Sequence, residues 1–375
     1  SACLVGSEMC IRDRGRTEPH ITRGSNHLRY VGPDLTLRLN TNAPLSHVLA
    51  QTAFVLPGEL NFLLGSDETL QTGIAETARD FEQKTTDYWR QWTRRLALPL
   101  EWQDAVIRAA ITLKLSLYED TGAIIAAMTT SIPEAPGSSR NWDYRYCWLR
   151  DAFFVVRALN SLSEVATMED YLRWMSNVVI DSQGGHIQPL FGIGLEKSLP
   201  ESFVDNLPGY RGMGPVRVGN QAQEHFQHDV YGNVILGAAQ AFHDHRLLHR
   251  AGAREFRALE RVGEQAVRVF DQPDAGMWEL RTRARIHTSS AIMSWAACDR
   301  LAKIAATLKL PDRADYWAGH AEGMRERILK ESWNEERQAF AESFGGRDMD
   351  ASVLLMAEVG ICLLYTSPSP RDRQK

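Results

Sequence analysis

Apolar residues recur along the chain with two different periods. Over residues 16–65 they alternate or come in short runs. Leu35-Thr36-Leu37-Arg38-Leu39 alternates, Ala53-Phe54-Val55-Leu56 is a brief apolar run, and Pro57-Gly58 turns into Leu60-Asn61-Phe62-Leu63-Leu64. A period of two puts successive side chains on opposite faces of a strand, so this region is predicted to form short strands separated by turns. Residues 16–66 read as the C-terminal part of a β-sandwich. Residues 68–96 are polar and helix-compatible, with Tyr88, Trp89 and Trp92 clustered, and 67–100 is expected to be a helical linker.

After Leu100 the period becomes helical. Val106, Ala110, Leu113 and Leu117 share one stripe, as do Phe256, Leu259, Gly263, Ala266 and Phe270. Met293, Ala297, Leu301, Ile304 and Leu308 form a third, and Trp317, Ala321, Met324 and Ile328 a fourth. Repeated amphipathic helices imply an all-α domain over residues 101–361. The connections alternate between short ones and long, Gly/Pro/aromatic-rich ones such as 122–148 and 184–220. Helices in a ring, with long loops gathered at one end, give that pattern. A helical solenoid is the alternative, and no internal repeat of fixed period supports it. About eight helices fit between Trp102 and Ile361, and Asp350-Ala351-Ser352 opens a further one.

Composition narrows the function. In 375 residues, 44% hydrophobic and 24% charged residues describe a folded globular chain, and a net charge of −5 offers no basic field for a nucleic-acid backbone. No apolar run reaches the roughly 18 residues that span a bilayer, and residues 105–117 are interrupted by Arg108 and Lys114. Of five cysteines, only Cys147 and Cys298 lie in the body of the chain, with no spacing that suggests a disulfide framework or a zinc site. Residues 1–15 and 362–375 read as translated adapter sequence, foreign to what they flank, and are set aside from fold reasoning. With the true N-terminus out of view, the reading favours the cytoplasm over secretion.

The richest segment is Asn141-Trp142-Asp143-Tyr144-Arg145-Tyr146-Cys147-Trp148-Leu149-Arg150-Asp151. Its aromatics alternate at positions 142, 144, 146 and 148, the period of a half-buried strand. Periodicity alone favours that strand. Against it, Asp151 stands where a helix N-terminus accepts a carboxylate, before the helix-compatible run 152–162. Aromatic planes take the C–H face of a sugar, and an Arg/Asp pair donates to and accepts from vicinal hydroxyls. The chemistry suggested is carbohydrate recognition.

This string, followed by VRVGNQAQEHFQHDVYGNV and then DAGMWELR, resembles the bacterial members of glycoside hydrolase family 15: glucoamylases, glucodextranases and related trehalases. The resemblance runs from about Arg16 to about Ile361. It implies an (α/α)6 barrel of twelve helices preceded by a β-sandwich, so a chain with about eight helices is expected to hold an incomplete barrel and a sandwich remnant. It also implies an inverting, exo-acting hydrolase that releases glucose from α-glucosides, with no cofactor and no metal.

Glycoside hydrolysis uses two carboxyl groups. Glu279 is the candidate acid, because Asp274-Ala275-Gly276-Met277-Trp278-Glu279 is turn-rich, follows a predicted helix, and sets Trp278 beside the carboxyl to shield it from water. From spacing alone, a surface carboxylate paired with Arg281 or Arg283 is the plainer reading. The resemblance makes Glu279 the general acid, Arg150 and Asp151 ligands of the terminal sugar's hydroxyls, and Trp148 and Trp278 walls of its pocket. Trp142 and Tyr144 are further substrate-binding candidates, with Tyr146, that also suit packing under the loop.

In the resembling family the base lies late in the barrel, and no counterpart is assigned here. Glu196, Glu201 and Glu224 read as surface charges. Related sequences have Gln-Leu-Asp-Val-Tyr-Gly-Glu where this chain has Gln227-His228-Asp229-Val230-Tyr231-Gly232-Asn233, so His228 and Asn233 are departures. His225 and His228, three apart on an expected helix, lack an adjacent acidic ligand at zinc-like spacing. A glucoamylase-like hydrolase leads, an α,α-trehalase of the same family follows, and a non-catalytic carbohydrate-binding or regulatory barrel is the alternative of another class.

Overall fold

The computed structural model describes residues 19–361 apart from 34, 57, 183 and 184. The terminal segments set aside above, residues 1–15 and 362–375, lie outside the described residues. Two compact units emerge. One combines the chain up to Ile111 with Ser131–Asn141 and Ser202–Val218, and the other combines Thr112–Thr130, Trp142–Glu201 and the chain from Gly219 onward. The first unit thus includes the start of the helical region, up to Ile111, and pieces of the two long loops.

The first unit holds β1 (His20–Arg23), β2 (His27–Val31), β3 (Thr36–Thr41), α1 (Leu45–Ala50), β4 (Phe62–Ser66) and α2 (Ile74–Thr93). The four strands make one antiparallel sheet in sequence order. Its register pairs Ile21 with Tyr30, Tyr30 with Leu37, Leu28 with Leu39 and Leu39 with Leu64. Strand alternation therefore gathers these apolar residues and Phe62 on one face, while Arg29, Arg38 and Asn40 share the other, where Arg29 grips Asp67. Leu28 is fully buried, whereas Ile21, Phe62 and Leu64 stay more than two-fifths exposed.

Eight α-helices lie between residues 103 and 359 among the described residues: α3 (Gln103–Leu115), α4 (Leu149–Ser161), α5 (Ala166–Ser182), α6 (Asp229–His243), α7 (Ala253–Val269), α8 (Thr288–Thr307), α9 (Pro311–Glu331) and α10 (Leu355–Val359). All but α3 fall wholly within the second unit. They form two layers. In α6 twelve of fifteen residues are buried and in α8 fourteen of twenty, against four of twenty-one in α9. A helix apolar all round belongs inside, and one with a single apolar stripe belongs outside. Accordingly α6 packs against both α4 and α8, while α5, α7 and α9 cover them.

Gly232 permits the closest approach in the inner layer: a Cβ there would stand 2.4 Å from the Met293 carbonyl oxygen of α8. Cys147 and Cys298 are both buried free thiols. No helix among the described residues is long and apolar enough to cross a membrane.

Candidate active site

Three segments meet at the N-terminal ends of α4, α6 and α8. The first is the aromatic stretch. Only Cys147–Trp148 pairs as a strand, β5, with Leu190–Phe191, β6. The strand that alternation alone favours over 142–148 does not run through, because Asp143, fully buried, takes the Arg145 backbone N–H at 3.2 Å and its Nε at 2.9 Å, which bends the chain into an Asx-type turn. Trp148 is buried against Tyr146, Leu190, Leu199 and Ala222, with Tyr144 tilted on it at 6.0 Å. Its extended backbone leads directly into α4, whose first turn carries Arg150 and Asp151.

The second segment is Gln227-His228-Asp229, where α6 starts. Arg150 Nη1 donates to Gln227 Oε1 at 2.9 Å and to Asp229 Oδ2 at 3.0 Å. Asn233, one helical turn on, donates to the same Asp229 oxygen at 3.1 Å. Asparagine at this departure from the related pattern therefore supplies a donor where glutamate would set a second carboxylate beside Asp229. Burial alone would lower the Arg150 guanidinium, but Asp229, Asp151 and Glu279 around it hold it above its ordinary value. The cation is permanent.

The third segment is the loop between Asp274 and Arg285, closed at its base by a two-way backbone pair of 2.9 and 3.2 Å. Gly276 at φ 65° and Glu279 at φ 55° turn it back on itself, with Leu280 N–H on the Ala275 carbonyl at 3.0 Å. A non-glycine residue in the left-handed region is held there by its surroundings. For Glu279 they include Trp148, 131 residues away, whose Nε1–H donates to Oε1 at 2.6 Å, and Arg150 Nη2 at 3.5 Å from the same oxygen. The pairing of Glu279 with Arg281 or Arg283 that spacing favoured is not what forms.

Arg281 instead donates to Glu201 at 2.8 Å and to Gln221 at 3.0 Å, and lies 4.2 Å over the Trp142 ring. This corrects two readings at once. Glu201, expected as a surface charge, is the carboxylate of a clamped ion pair, and the Trp142 face on that side carries a guanidinium. The indole expected to shield Glu279 is also elsewhere: Trp278 is 58% exposed and donates to Asp350 at 2.9 Å, while Trp148 makes the contact with the acid. Neighbours in sequence diverge here because the turn at Glu279 sends the two side chains to different partners.

Asp151 lies 4.0 Å from Arg150 Nε. Loss of water around it pushes its carboxyl above the ordinary range, and Arg150 pulls the other way. His225 and His228 are not on one helix as expected; they lie in the connection after the 3-10 turn Gln221–Glu224 and before α6. Burial lowers both imidazoles, and His228 Nδ1 sits 3.2 Å from the Gln272 carbonyl. Among the described residues no three His, Cys, Asp or Glu side chains are grouped to hold a metal.

Sequence reasoning did not single out Asp229, Gln227, Asp274 or Ser290. Asp274 and Asp229 stood only as members of the segments Asp274–Glu279 and Gln227–Asn233, and nothing local to either signals a buried partner.

What can this arrangement do? A carboxyl on a fixed loop, with an indole donor and a permanent cation on one oxygen, leaves the other oxygen to meet a substrate. The Arg150–Asp151 pair beside it offers both donors and acceptors to hydroxyl groups.

The chain is 35% identical over 333 residues to a trehalase of Mycolicibacterium smegmatis, covering 85% of this chain and 48% of the relative. It is 36% identical over 290 residues to a trehalase of Mycobacterium tuberculosis, covering 75% and 41%. The chain thus spans less than half the length of these relatives. In fold it is similar to a bacterial glucoamylase solved with acarbose, with TM-score 0.63, 14% identity, and coverage of 93% of this chain and 56% of that one. The sequence model described as glycosyl hydrolases family 15 matches residues 101–365, and the chain belongs to that family.

Proposed function

We propose that this chain carries the acid side of an α-glucoside hydrolase, with α,α-trehalose as substrate and inversion at the anomeric carbon. The observation that carries the reading is the grip of Trp148 and Arg150 on one oxygen of Glu279. Sequence alone put a glucoamylase-like activity first. Relatives named trehalase at 35 and 36% identity support the reverse order, since the glucoamylase likeness is one of fold.

In the proposed reaction, Arg150 and Asp151 hold hydroxyls of the glucosyl unit while Glu279 protonates the bridging oxygen. The C1–O bond breaks, the leaving sugar departs with the proton of Glu279, and water bonds to C1 from the opposite face. The proton of that water passes to a second carboxylate. Inverting enzymes place the two groups about 6.5–9.5 Å apart to admit the water. We assign that base to no residue of this chain.

Two finer readings of the fold accompany this one. The sheet face bearing Ile21, Phe62 and Leu64 is what one half of a β-sandwich presents to its partner sheet. The two-layered helices are read as an incomplete (α/α)6 barrel.

The test is proton NMR of the anomeric signals during turnover, using the protein expressed from its complete natural reading frame. Trehalose should release α- and β-glucose in equal initial amounts, and Glu279→Gln should abolish turnover while leaving sugar binding largely intact. Unchanged hydrolysis by the Gln variant refutes the assignment of the acid. Hydrolysis of α-1,4-linked glucans with trehalose untouched refutes the substrate.

A further inference from the structure

Asp274 is a buried carboxyl that the proposed chemistry does not use. It is 2% exposed, and Oδ2 accepts the His228 backbone N–H at 2.8 Å and the Ser290 hydroxyl at 2.7 Å. Its backbone pairs with Arg285 in both directions, which closes the loop bearing Glu279, and the next residue, Ala275, donates its N–H to the Phe226 carbonyl at 2.9 Å. One side chain therefore ties together the acid loop, the segment leading into α6 and the first turn of α8.

The connections form a closed circuit. From Asp274 the chain runs through Gly276 to Glu279; Glu279 meets Arg150; Arg150 meets Asp229; and Asp229 is joined by one peptide bond to His228, whose N–H returns to Asp274. A circuit of this kind fixes the distance between the acid and the cation from two directions, and cutting it at Asp274 leaves the base of the loop held by its backbone pairs with Arg285 and Phe226, while the Trp278 and Arg281 contacts lie farther out along the loop. Removing the carboxyl also strands the His228 N–H and the Ser290 hydroxyl.

We propose that Asp274 is a positioning residue, which keeps the Glu279 loop in register with the Arg150–Asp229 pair. The proposal rests on Glu279 as the proposed acid, yet its geometry can be read without turnover.

The groups facing the carboxyl are His228 and Asp229 at the start of α6, with His287 and Ser290 at the start of α8. His287 Nδ1 in turn lies 3.2 Å from Glu342 Oε2. Burial pushes the Asp274 carboxyl up to about 6, the His228 N–H and the Ser290 hydroxyl opposing this and the Asp229 charge adding to it. A carboxyl kept buried at that cost, with two donors from separate elements on one oxygen, fits a positioning role.

The readout is the indole N–H resonance of Trp148 in the tryptophan-labelled chain, identified by its loss in Trp148→Phe. Asp274→Ala should move that resonance towards the position of a solvent-exposed indole, and Asp274→Asn, which keeps an acceptor of the same shape, should restore it. In the active protein, Asp274→Ala should lower kcat by roughly 10–100-fold, as expected for a misplaced acid, with KM changed less than about threefold. Asp274→Asn should recover most of kcat. A resonance that stays in place in Asp274→Ala while the melting temperature falls makes the residue merely structural and overturns the proposal. If the parent hydrolyses no α-glucoside, the functional reading fails while the resonance still decides the positioning role.

Discussion

Replacing Arg150 by Met tests the buried charge network directly. Arg150 is 13% exposed in its side chain and lies 3.0 Å from Asp229. At an effective dielectric constant of about 20, unit charges at that separation attract by about 5 kcal/mol. Desolvation of both groups offsets part of this, and the substitution returns only the share of Arg150, because Asp229 stays in place. Methionine fills the space of the stem and offers no charge. Asp229, 3% exposed, then retains the Asn233 amide and has no cation within 4 Å among the described residues. A buried charge stripped of its partner costs about 3–5 kcal/mol.

Urea unfolding followed by helical ellipticity should show a midpoint lower by roughly 1 M or more at unchanged slope, given slopes of about 1–3 kcal/mol/M. The double variant Arg150→Met with Asp229→Asn removes both charges and should recover more than half the loss. A single-variant midpoint within about 0.2 M of the parent, or equal midpoints for single and double variants, would show that Asp229 does not depend on Arg150.

Two further outcomes follow from the inner layer and from Asp274. Gly232→Ala puts a Cβ 2.4 Å from the Met293 carbonyl, so α6 and α8 must part, at about 1–3 kcal/mol for overpacking; a melting temperature equal to the parent's would mean that the helices lie farther apart than described. The Asp274 carboxyl is raised from 3.8 to about 6 in the fold, so the folded chain binds its proton more tightly than the unfolded chain does. Its stabilising contribution is full below about pH 4 and is lost as pH rises through about 6, a span worth about 3 kcal/mol. Asp274→Asn lacks that dependence, so its stability relative to the parent should rise by about that amount from pH 4 to pH 7, and a flat difference between the two chains would contradict the burial argument.

Much of the helical region was legible because amphipathic stripes are local: the apolar positions of α7, α8 and α9 recur within single segments, and the structure places helices on each. The aromatic stretch was harder. Its alternation argued for a strand, yet only Cys147–Trp148 pairs as one, since Asp143 spends its carboxyl on Arg145 and bends the chain. Glu279 stood out by the residue types around it, but its neighbours in the site did not. Trp278 is adjacent in sequence and turns to Asp350, whereas Trp148 is distant in sequence and meets the acid. The pairing of Glu201 with Arg281, 80 residues apart, was equally invisible, and both had been given other roles.

The chain by itself determined its periods, its two kinds of region and the family motifs, because each is written in contiguous residues whose side-chain types and spacing have local physical consequences, and it pointed to Glu279 as the candidate acid through the motif resemblance rather than through spacing. Tertiary structure alone decided which charges are buried together. Arg150, Asp229, Glu279 and Asp274 come from three segments that meet only once α4, α6 and α8 have packed. A carboxylate's partner and its exposure to water are properties of that packing, and no neighbouring residue in the sequence encodes them.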